Sequence, residues 1–413
     1  MENIYNVIII GGGPAGMMAA ISAAKSGKKV AIFEKNNTLG KKLLITGKGR
    51  CNITHNELDI RKMAEAYGEN GKFLLSIFSR FGVKETLDFF IKHGLEVKRE
   101  RGDRIFPVLD DSEVVLRILE DELKKYKVDI IYKSEIKDFS LKNNEINSIN
   151  LANGKSCMAE KFIIATGGKS YPITGSDGSL YSIIAKLGHH IIKPRPALVP
   201  LKTKEPWIKE LQGLSLRNVT LSIIKNNKKV SPYFGEMLFA HFGVTGPIVL
   251  EISKEVVLLL EKGNVELSLD LKPALTTEEL NLRLIREFDN AKNKNFKNIL
   301  QNLLPLKFID VFIKLCNIDP NKKINIISKE ERILVVKLLK DIRFTVVDSL
   351  GFDSAIITSG GVDLKEVDQK TMKSKIIDNL YFTGEILDLD GPTGGYNLQV
   401  CWSTGFIAGL DKK

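Results

Sequence analysis

At 413 residues the chain is long enough to bury a sizeable core and too long for one ordinary domain, so two or three domains are expected. No run approaches the roughly twenty apolar residues of a membrane-crossing helix, Met1 to Tyr5 carries neither a basic leader nor a cleavage site, and Cys51, Cys157, Cys316 and Cys401 form no C-x-x-C pair. A cytoplasmic protein without membrane partner, structural zinc or dithiol chemistry is therefore expected, and the net charge of +11 does not by itself argue for nucleic acid, because the lysines alternate with acids.

The first element is the most informative. Val7 to Ile10 is a continuous β-branched run suited to a strand buried on both faces, and Gly11, Gly13 and Gly16 follow at the G-x-G-x-x-G spacing. Gly11 permits the tight turn and Gly13 leaves room for a pyrophosphate. Gly16, with Ala19, Ala20 and Ala23, lets the helix pack closely. Pro14 and Ala15 open that helix, whose free N–H groups favour an anion, and Gly27 suits its C-terminal cap. Val30 to Phe33 read as the second strand, and Glu34 falls about twenty residues beyond the turn, where a carboxylate accepts from adenosine ribose hydroxyls and repels a 2′-phosphate. FAD or NAD suits this site, and NADP does not.

Thr38 to His55 (TLGKKLLITGKGRCNITH) lacks helical or strand period and is expected to be an ordered loop beside the cofactor. In it Lys41, Lys42, Lys48 and Arg50 face the pyrophosphate or a flavin, and Gly47 and Gly49 allow close backbone approach. Amphipathic helices are expected over Lys72 to Leu95 and over Ser112 to Lys125, the second with Ser112 as N-cap. Val128 to Tyr132, Ile146 to Leu151 and Phe162 to Ala165 read as strands. The last runs into Thr166, Gly167 and Gly168, a return to the cofactor, and Lys35 and Ile136 are taken as further cofactor contacts.

Pro194, Pro196 and Pro200 mark a domain exit. Alternating runs at Val219 to Ile224 and Val265 to Leu269 suggest a β-barrel-like insert over 194–272, completed by a strand over 343–349. From Pro273 to 342 the pattern is helical, with Thr276 and Glu279, and Ser328 and Glu331, spaced as capping boxes. Residues 1–193 and 346–413 then make one domain from both chain ends. Its last segment, Leu380 to Gly409, holds a short strand from Tyr381 to Thr383, then Gly384 and Glu385, whose acid can accept from ribityl hydroxyls with Asp388 as a second candidate. Gly394, Gly395, Tyr396 and Asn397 open a helix whose N–H groups suit a flavin's N1 and C2 carbonyl edge.

Together these stretches resemble the NAD(P)/FAD-dependent oxidoreductase family that includes aminoacetone oxidase and the bile-acid-inducible flavoprotein. The resemblance rests on GGGPAG (Gly11 to Gly16), TGKGRCN (Thr46 to Asn52), ATGGKSYPITGSDG (Ala165 to Gly178), GEMLFAHFGVTGP (Gly235 to Pro247), TSGGVDLKEV (Thr358 to Val367) and GEILDLDGPTGGYNLQ (Gly384 to Gln399). It implies an α/β fold of the two-dinucleotide-binding, glutathione-reductase-like type, a Rossmann domain interrupted by the barrel-like and helical inserts. It also implies FAD contacts from Glu34, Arg50, Cys51, Asn52, Gly167, Glu385, Asn397 and Leu398. Related flavoproteins often carry Asp where Glu385 stands.

The expected activity is an FAD-dependent oxidoreductase of a small molecule, by hydride transfer to or from the flavin N5, as an aminoacetone-type oxidase or an NAD(P)H-linked reductase. No second G-x-G-x-x-G follows another strand, so NAD(P)H is expected only as a transient reductant, and no metal is required. His241 and Tyr171 are the candidate proton-transferring residues. Cys51 has no partner cysteine and is expected to pack against the cofactor. The alternative readings are an RNA-associated flavoprotein that modifies nucleic acid, and a flavin-binding protein without turnover. Neither substrate identity nor oligomeric state follows from the sequence.

Overall fold

The structure, a computed structural model, describes residues 4–410. The chain divides into two compact units, with the breaks after Pro196 and after Gly351, so both ends of the chain belong to the same unit.

That unit is organised by a seven-stranded sheet. Its parallel part runs in the order Asp129–Ile131, Val30–Phe33, Ile4–Ile10, Ser156–Ile164 and Leu380–Phe382, with registers such as Val7 opposite Val30, Ile8 opposite Phe162, and Phe382 opposite Ile164. Ile8, Ile9, Ile32 and Ile163 are fully buried, as expected of β-branched strands covered on both faces. Glu145–Leu151 and Ile136–Lys142 extend the sheet in antiparallel fashion. The helix Pro14–Ala24 lies against the terminal helix Tyr396–Gly409. A Cβ on Gly405 would fall 2.4 Å from the Ala15 carbonyl oxygen and one on Gly409 2.3 Å from that of Ala19, so small residues set this close approach and join the two chain ends.

Several local expectations change. The segment after Thr38 contains a short helix, Lys41–Ile45, and a 3₁₀ turn, Thr46–Gly49, in which Gly47 and Lys48 have positive φ. The helix expected over Lys72 to Leu95 is broken: Leu75–Phe78 ends before Gly82, which stands as N-cap of Val83–Lys92 and bonds Glu85 through its N–H. Asp111, not Ser112, caps Ser112–Lys125, accepting from the Glu113 N–H, while the Ser112 hydroxyl donates to the Leu44 carbonyl. Pro194 and Pro196 lie inside the strand Ile191–Ala197, whose partner is Ile357–Val362 in a two-stranded sheet, where a missing N–H is tolerated.

The second unit is a closed six-stranded barrel in the order Leu201–Thr203, Gly243–Thr245, Lys228–Ala240, Ser215–Lys225, Val265–Asp270, Ile342–Ser349, the last pairing with the first. The helices Thr277–Asp289, Leu306–Cys316 and Lys329–Lys340 share its apolar core through Leu284, Phe312 and Leu339. Barrel and helices therefore form one unit and not the two inserts suggested by the change of pattern at Pro273, because these short amphipathic helices bury their apolar faces in the same core as the strands. Thr276 and Ser328 each cap a helix and each meets a reciprocating glutamate, Glu279 and Glu331.

Candidate functional site

At the ends of the parallel strands lies a cleft of about 1190 Å³, its open mouth included, floored by the glycine turn. The three motif glycines do different work. A Cβ on Gly11, at φ +104, would meet the Ala165 carbonyl oxygen at 2.6 Å, and one on Gly16 would meet the Gly11 oxygen at 1.9 Å, so both are required by the fold itself. Gly13 has nothing within 4 Å of that position and lines the cleft with Pro14 and Ala15, so its bare backbone is open to a ligand at the start of the helix.

Glu34 is buried and lines the same end. Its Oε2 accepts from the Gly12 N–H at 2.7 Å and its Oε1 from the Asn36 N–H and Nδ2, both at 2.8 Å. Lys35 pairs with Asp177 at 2.7 Å and Asn36 Nδ2 donates to the Thr174 carbonyl at 3.1 Å, which holds the loop Thr174 to Gly178 at the cleft wall. Lys41 reaches Asn36 Oδ1 at 3.0 Å. In that loop Ser176 is 6% exposed, lines the cleft, and its hydroxyl has no hydrogen-bond partner. An orphaned buried hydroxyl costs about 1–3 kcal/mol unless something bonds it, so this wall is made for a polar ligand.

The other end is organised around Glu385, which is 8% exposed. Lys42 Nζ lies 2.6 Å from its Oε2 and also 2.6 Å from Ser170 Oγ, while Oε1 accepts from the Ser170 hydroxyl at 2.8 Å and the Thr358 N–H at 2.9 Å. Lys42, Glu385, Asn397 and Leu398 all line the cleft, as do Ile136, Ala165, Thr166 and Gly167. Asn397 is held by the Gly391 N–H at 2.8 Å and donates to the Gly391 carbonyl at 2.9 Å. Cys401 also lines this end, and burial pushes its thiol up to about 12, so it stays protonated.

Other expected residues do not line the cleft. Arg50 pairs with Glu100 at 2.9 Å and Asp110 at 3.4 Å and stacks over Phe106, which fixes its charge. Cys51 is fully buried at φ +59, with its thiol raised to about 12 by burial. Asn52 is likewise outside the lining, but its buried Oδ1 has no partner. Gly47 and Gly49 serve the 3₁₀ turn. Gly168 approaches Thr358 and Gly384 approaches Ala15, both as close packing. Asp388 accepts from the Gly360 N–H at 3.0 Å and Asn70 Nδ2 at 3.1 Å. Gly394, Gly395 and Tyr396 stand beside the lining, at the head of the terminal helix. Tyr171 adopts a left-handed conformation at φ 50, its N–H donating to the Phe352 carbonyl. His241 lies in the barrel unit, exposed in the turn after Lys228–Ala240. Ser176 and Asn36 were missed, although the run Thr174-Gly175-Ser176-Asp177-Gly178 before the helix Ser179–Lys186 is a second glycine turn that could have signalled them.

An open backbone at a helix start, a buried carboxylate about twenty residues on and an orphaned hydroxyl in one elongated cleft fit a dinucleotide well. The family described as HI0933-like protein Rossmann domain matches residues 5–411. The chain belongs to this family of FAD-binding Rossmann oxidoreductases. Relatives in full-length register include a 3-dehydro-bile acid delta(4,6)-reductase of Clostridium scindens, 34% identical over 97% of each chain, and a ribosomal RNA dihydrouridine synthase of Haemophilus influenzae, 31% identical over 99% of each. A ribosomal RNA dihydrouridine synthase of Escherichia coli is 31% identical over 98% of each. Among solved structures, the 3-ketosteroid-delta4-(5alpha)-dehydrogenase from Rhodococcus jostii RHA1 superposes with a TM-score of 0.54 at 14% identity, covering 99% of this chain and 97% of that one. A flavocytochrome c3 fumarate reductase gives 0.53 at 14%, covering 98% and 78%. These two likenesses establish a shared fold. Among the described residues no cluster suited to a metal is found, and no helix is long and apolar enough to cross a membrane.

Proposed function

We propose that this oxidoreductase is a reductase that saturates a carbon–carbon double bond conjugated to a carbonyl in a small molecule, with NAD(P)H as its reductant. The observation that carries this reading is the full-length 34% identity to a protein named as a 3-dehydro-bile acid delta(4,6)-reductase. The ribosomal RNA relatives point the same way, since a dihydrouridine is a uridine whose ring double bond, next to a carbonyl, has been saturated.

When bound, FAD supplies two-electron chemistry at its N5. The chain's own residues do the rest. The open backbone at Gly13 and the first turn of Pro14–Ala24 seat the diphosphate, Glu34 takes the adenosine ribose hydroxyls, and Ser176 supplies the hydroxyl donor of the opposite wall. Lys42 and Glu385 form a neutral pair at the far end, which places no net charge there. Thr383, Leu398 and Cys401 also line the cleft, and the Cys401 thiol stays protonated, so these three add no charge there.

Anaerobic mixing of the yellow protein with NADH or NADPH tests the reading: bleaching is expected, followed by return of the colour on adding 3-oxo-4-cholenoic acid. Bleaching by aminoacetone, with none by either nicotinamide, would replace it with the oxidase. A second reading, in which the reduced ring belongs to RNA, is favoured by the two 31% identical relatives. It requires binding to RNA whose log affinity falls linearly with log salt.

A further inference from the structure

Beside the lined cleft, at the head of the terminal helix, the side chains of His55, Arg104 and Tyr396 meet at Gly394. The short strand Thr54–His55 pairs with Arg104–Pro107, with His55 directly opposite Arg104, so both side chains leave the same face of the ladder. A Cβ built on Gly394, at φ +115, would stand 3.6 Å from His55 Nδ1, 3.7 Å from Tyr396 Cε2 and 3.8 Å from Arg104 Cγ. The His55 ring stacks on Tyr396 with centroids 4.4 Å apart and planes 22° apart, and Tyr67 fixes that stack by donating its hydroxyl to the Tyr396 carbonyl at 2.8 Å.

His55 Nδ1 is buried and has no hydrogen-bond partner. A buried N–H without an acceptor is rarer and less tolerable than a bare lone pair, so the proton belongs on Nε2, which has no partner among the described residues. Arg104 donates through Nε to the Arg101 carbonyl at 3.0 Å and makes no ion pair among the described residues. This contrasts with Arg50, which also lies over Phe106 but is paired with two carboxylates. The imidazole and the stem of this unneutralised arginine thus meet at Gly394, on the turn that leads into Asn397 and Leu398, which line the cleft.

We propose that His55 and Arg104 form the subsite for the substrate's carbonyl oxygen, the imidazole N–H and the guanidinium donating to an oxygen that gains negative charge when the conjugated double bond is reduced. This rests on the reductase reading above and names the side of the site that recognises its substrate. The shared chemistry is a carbonyl conjugated to a double bond, whether in a steroid-like ketone or in a uracil ring.

The test uses the FAD-loaded protein and two variants chosen to keep the local packing: His55→Phe, which retains the stack on Tyr396, and Arg104→Met, which retains the aliphatic stem. Each is titrated with 3-oxo-4-cholenoic acid, with 5β-cholanic acid, which lacks the ketone, and with uridine monophosphate, following the flavin absorbance and the FAD content. The expected result is a dissociation constant for the keto acid raised about tenfold to a hundredfold in each variant, with FAD content and the affinity for 5β-cholanic acid unchanged. The same losses with uridine monophosphate in place of the keto acid would assign the subsite to a uracil carbonyl. Variants that bind the ligand as the wild type does, or that lose FAD instead, would overturn the subsite while leaving the reductase reading standing. A wild type that binds neither carbonyl compound would overturn the reductase reading and the subsite with it.

Discussion

At the Gly11 to Glu34 end of the cleft, one short stretch of chain supplies the turn, the helix and the carboxylate, and Glu34 is bonded by the backbone N–H groups of Gly12 and Asn36. At the opposite end, segments around Lys42, Ser170, Thr358 and Glu385 meet on a single buried carboxylate. The first end owes its geometry to local backbone conformation, which spacing alone determines. The second depends on the tertiary fold, and its charges compensate each other across the chain. The first should therefore respond to substitution chiefly in ligand affinity, and the second chiefly in stability.

The largest effect expected from that contrast is at the second end. Lys42→Met leaves Glu385 as a buried charge without its cation and should destabilise the protein by about 3–5 kcal/mol, measured by denaturant unfolding. The double variant Lys42→Met with Glu385→Gln should recover much of the loss, and additive effects would show that the pair is not coupled. At the first end, Gly13→Val should leave the unfolding midpoint of the ligand-free protein nearly unchanged, because nothing lies within 4 Å of the new Cβ. It should weaken FAD binding about a hundredfold or more, since the diphosphate must approach that backbone. Gly16→Val sets the contrast, for its Cβ would collide with the Gly11 carbonyl and the fold should fail before affinity can be measured. If Gly13→Val and Gly16→Val behave alike, the division of labour between these glycines is wrong.

Smaller effects are expected away from the cleft. Thr276→Ala and Ser328→Ala each remove a reciprocated cap in the barrel unit and should cost about 1 kcal/mol apiece, with FAD stoichiometry unaltered in both. The smallest is a pH effect at His189. Its Nδ1 faces Glu366 at 3.1 Å, its Nε2 faces Ser374 Oγ at 2.9 Å, and the ring meets the edge of Phe382. Burial lowers its pKa below the ordinary 6.5 despite Glu366. The unfolded chain therefore takes up the proton first, and stability should fall as the pH drops from about 6.5 through the lowered folded value. His189→Gln should flatten this part of the stability profile, and an unchanged slope would remove His189 as its source.

The same contrast explains what could be read in advance. The β-branched run, the glycine spacing and Glu34 are local signals, and the cleft has its floor where they indicate. The capping boxes at Thr276 and Ser328 were legible for the same reason, since a cap spans four residues. The pairing of Lys42 with Glu385 was not legible, because the lysine could equally have faced a phosphate and only the tertiary fold brings the carboxylate to it. The ion pairs of Arg50 were not legible for a similar reason: Glu100 and Asp110, which neutralise it, come from a β-hairpin and the turn after it, neither of which the sequence marked. The continuous helix expected from Lys72 to Leu95 ignored Gly82, whose conformation ends one helix and starts another. The TGSDG turn carrying Ser176 was visible in the sequence, but its helix is only eight residues long and gave little periodicity.

The central claim is that this cleft is shaped for a dinucleotide, with adenosine at Glu34 and the redox ring toward the terminal helix. Its most direct test is equilibrium binding of FAD and of FMN to protein stripped of cofactor, read by quenching of flavin fluorescence. One FAD per chain, bound at least about a hundredfold more tightly than FMN, is the predicted result, because FMN has no adenosine for Glu34. Equal affinity for the two, or no uptake of either, would contradict it.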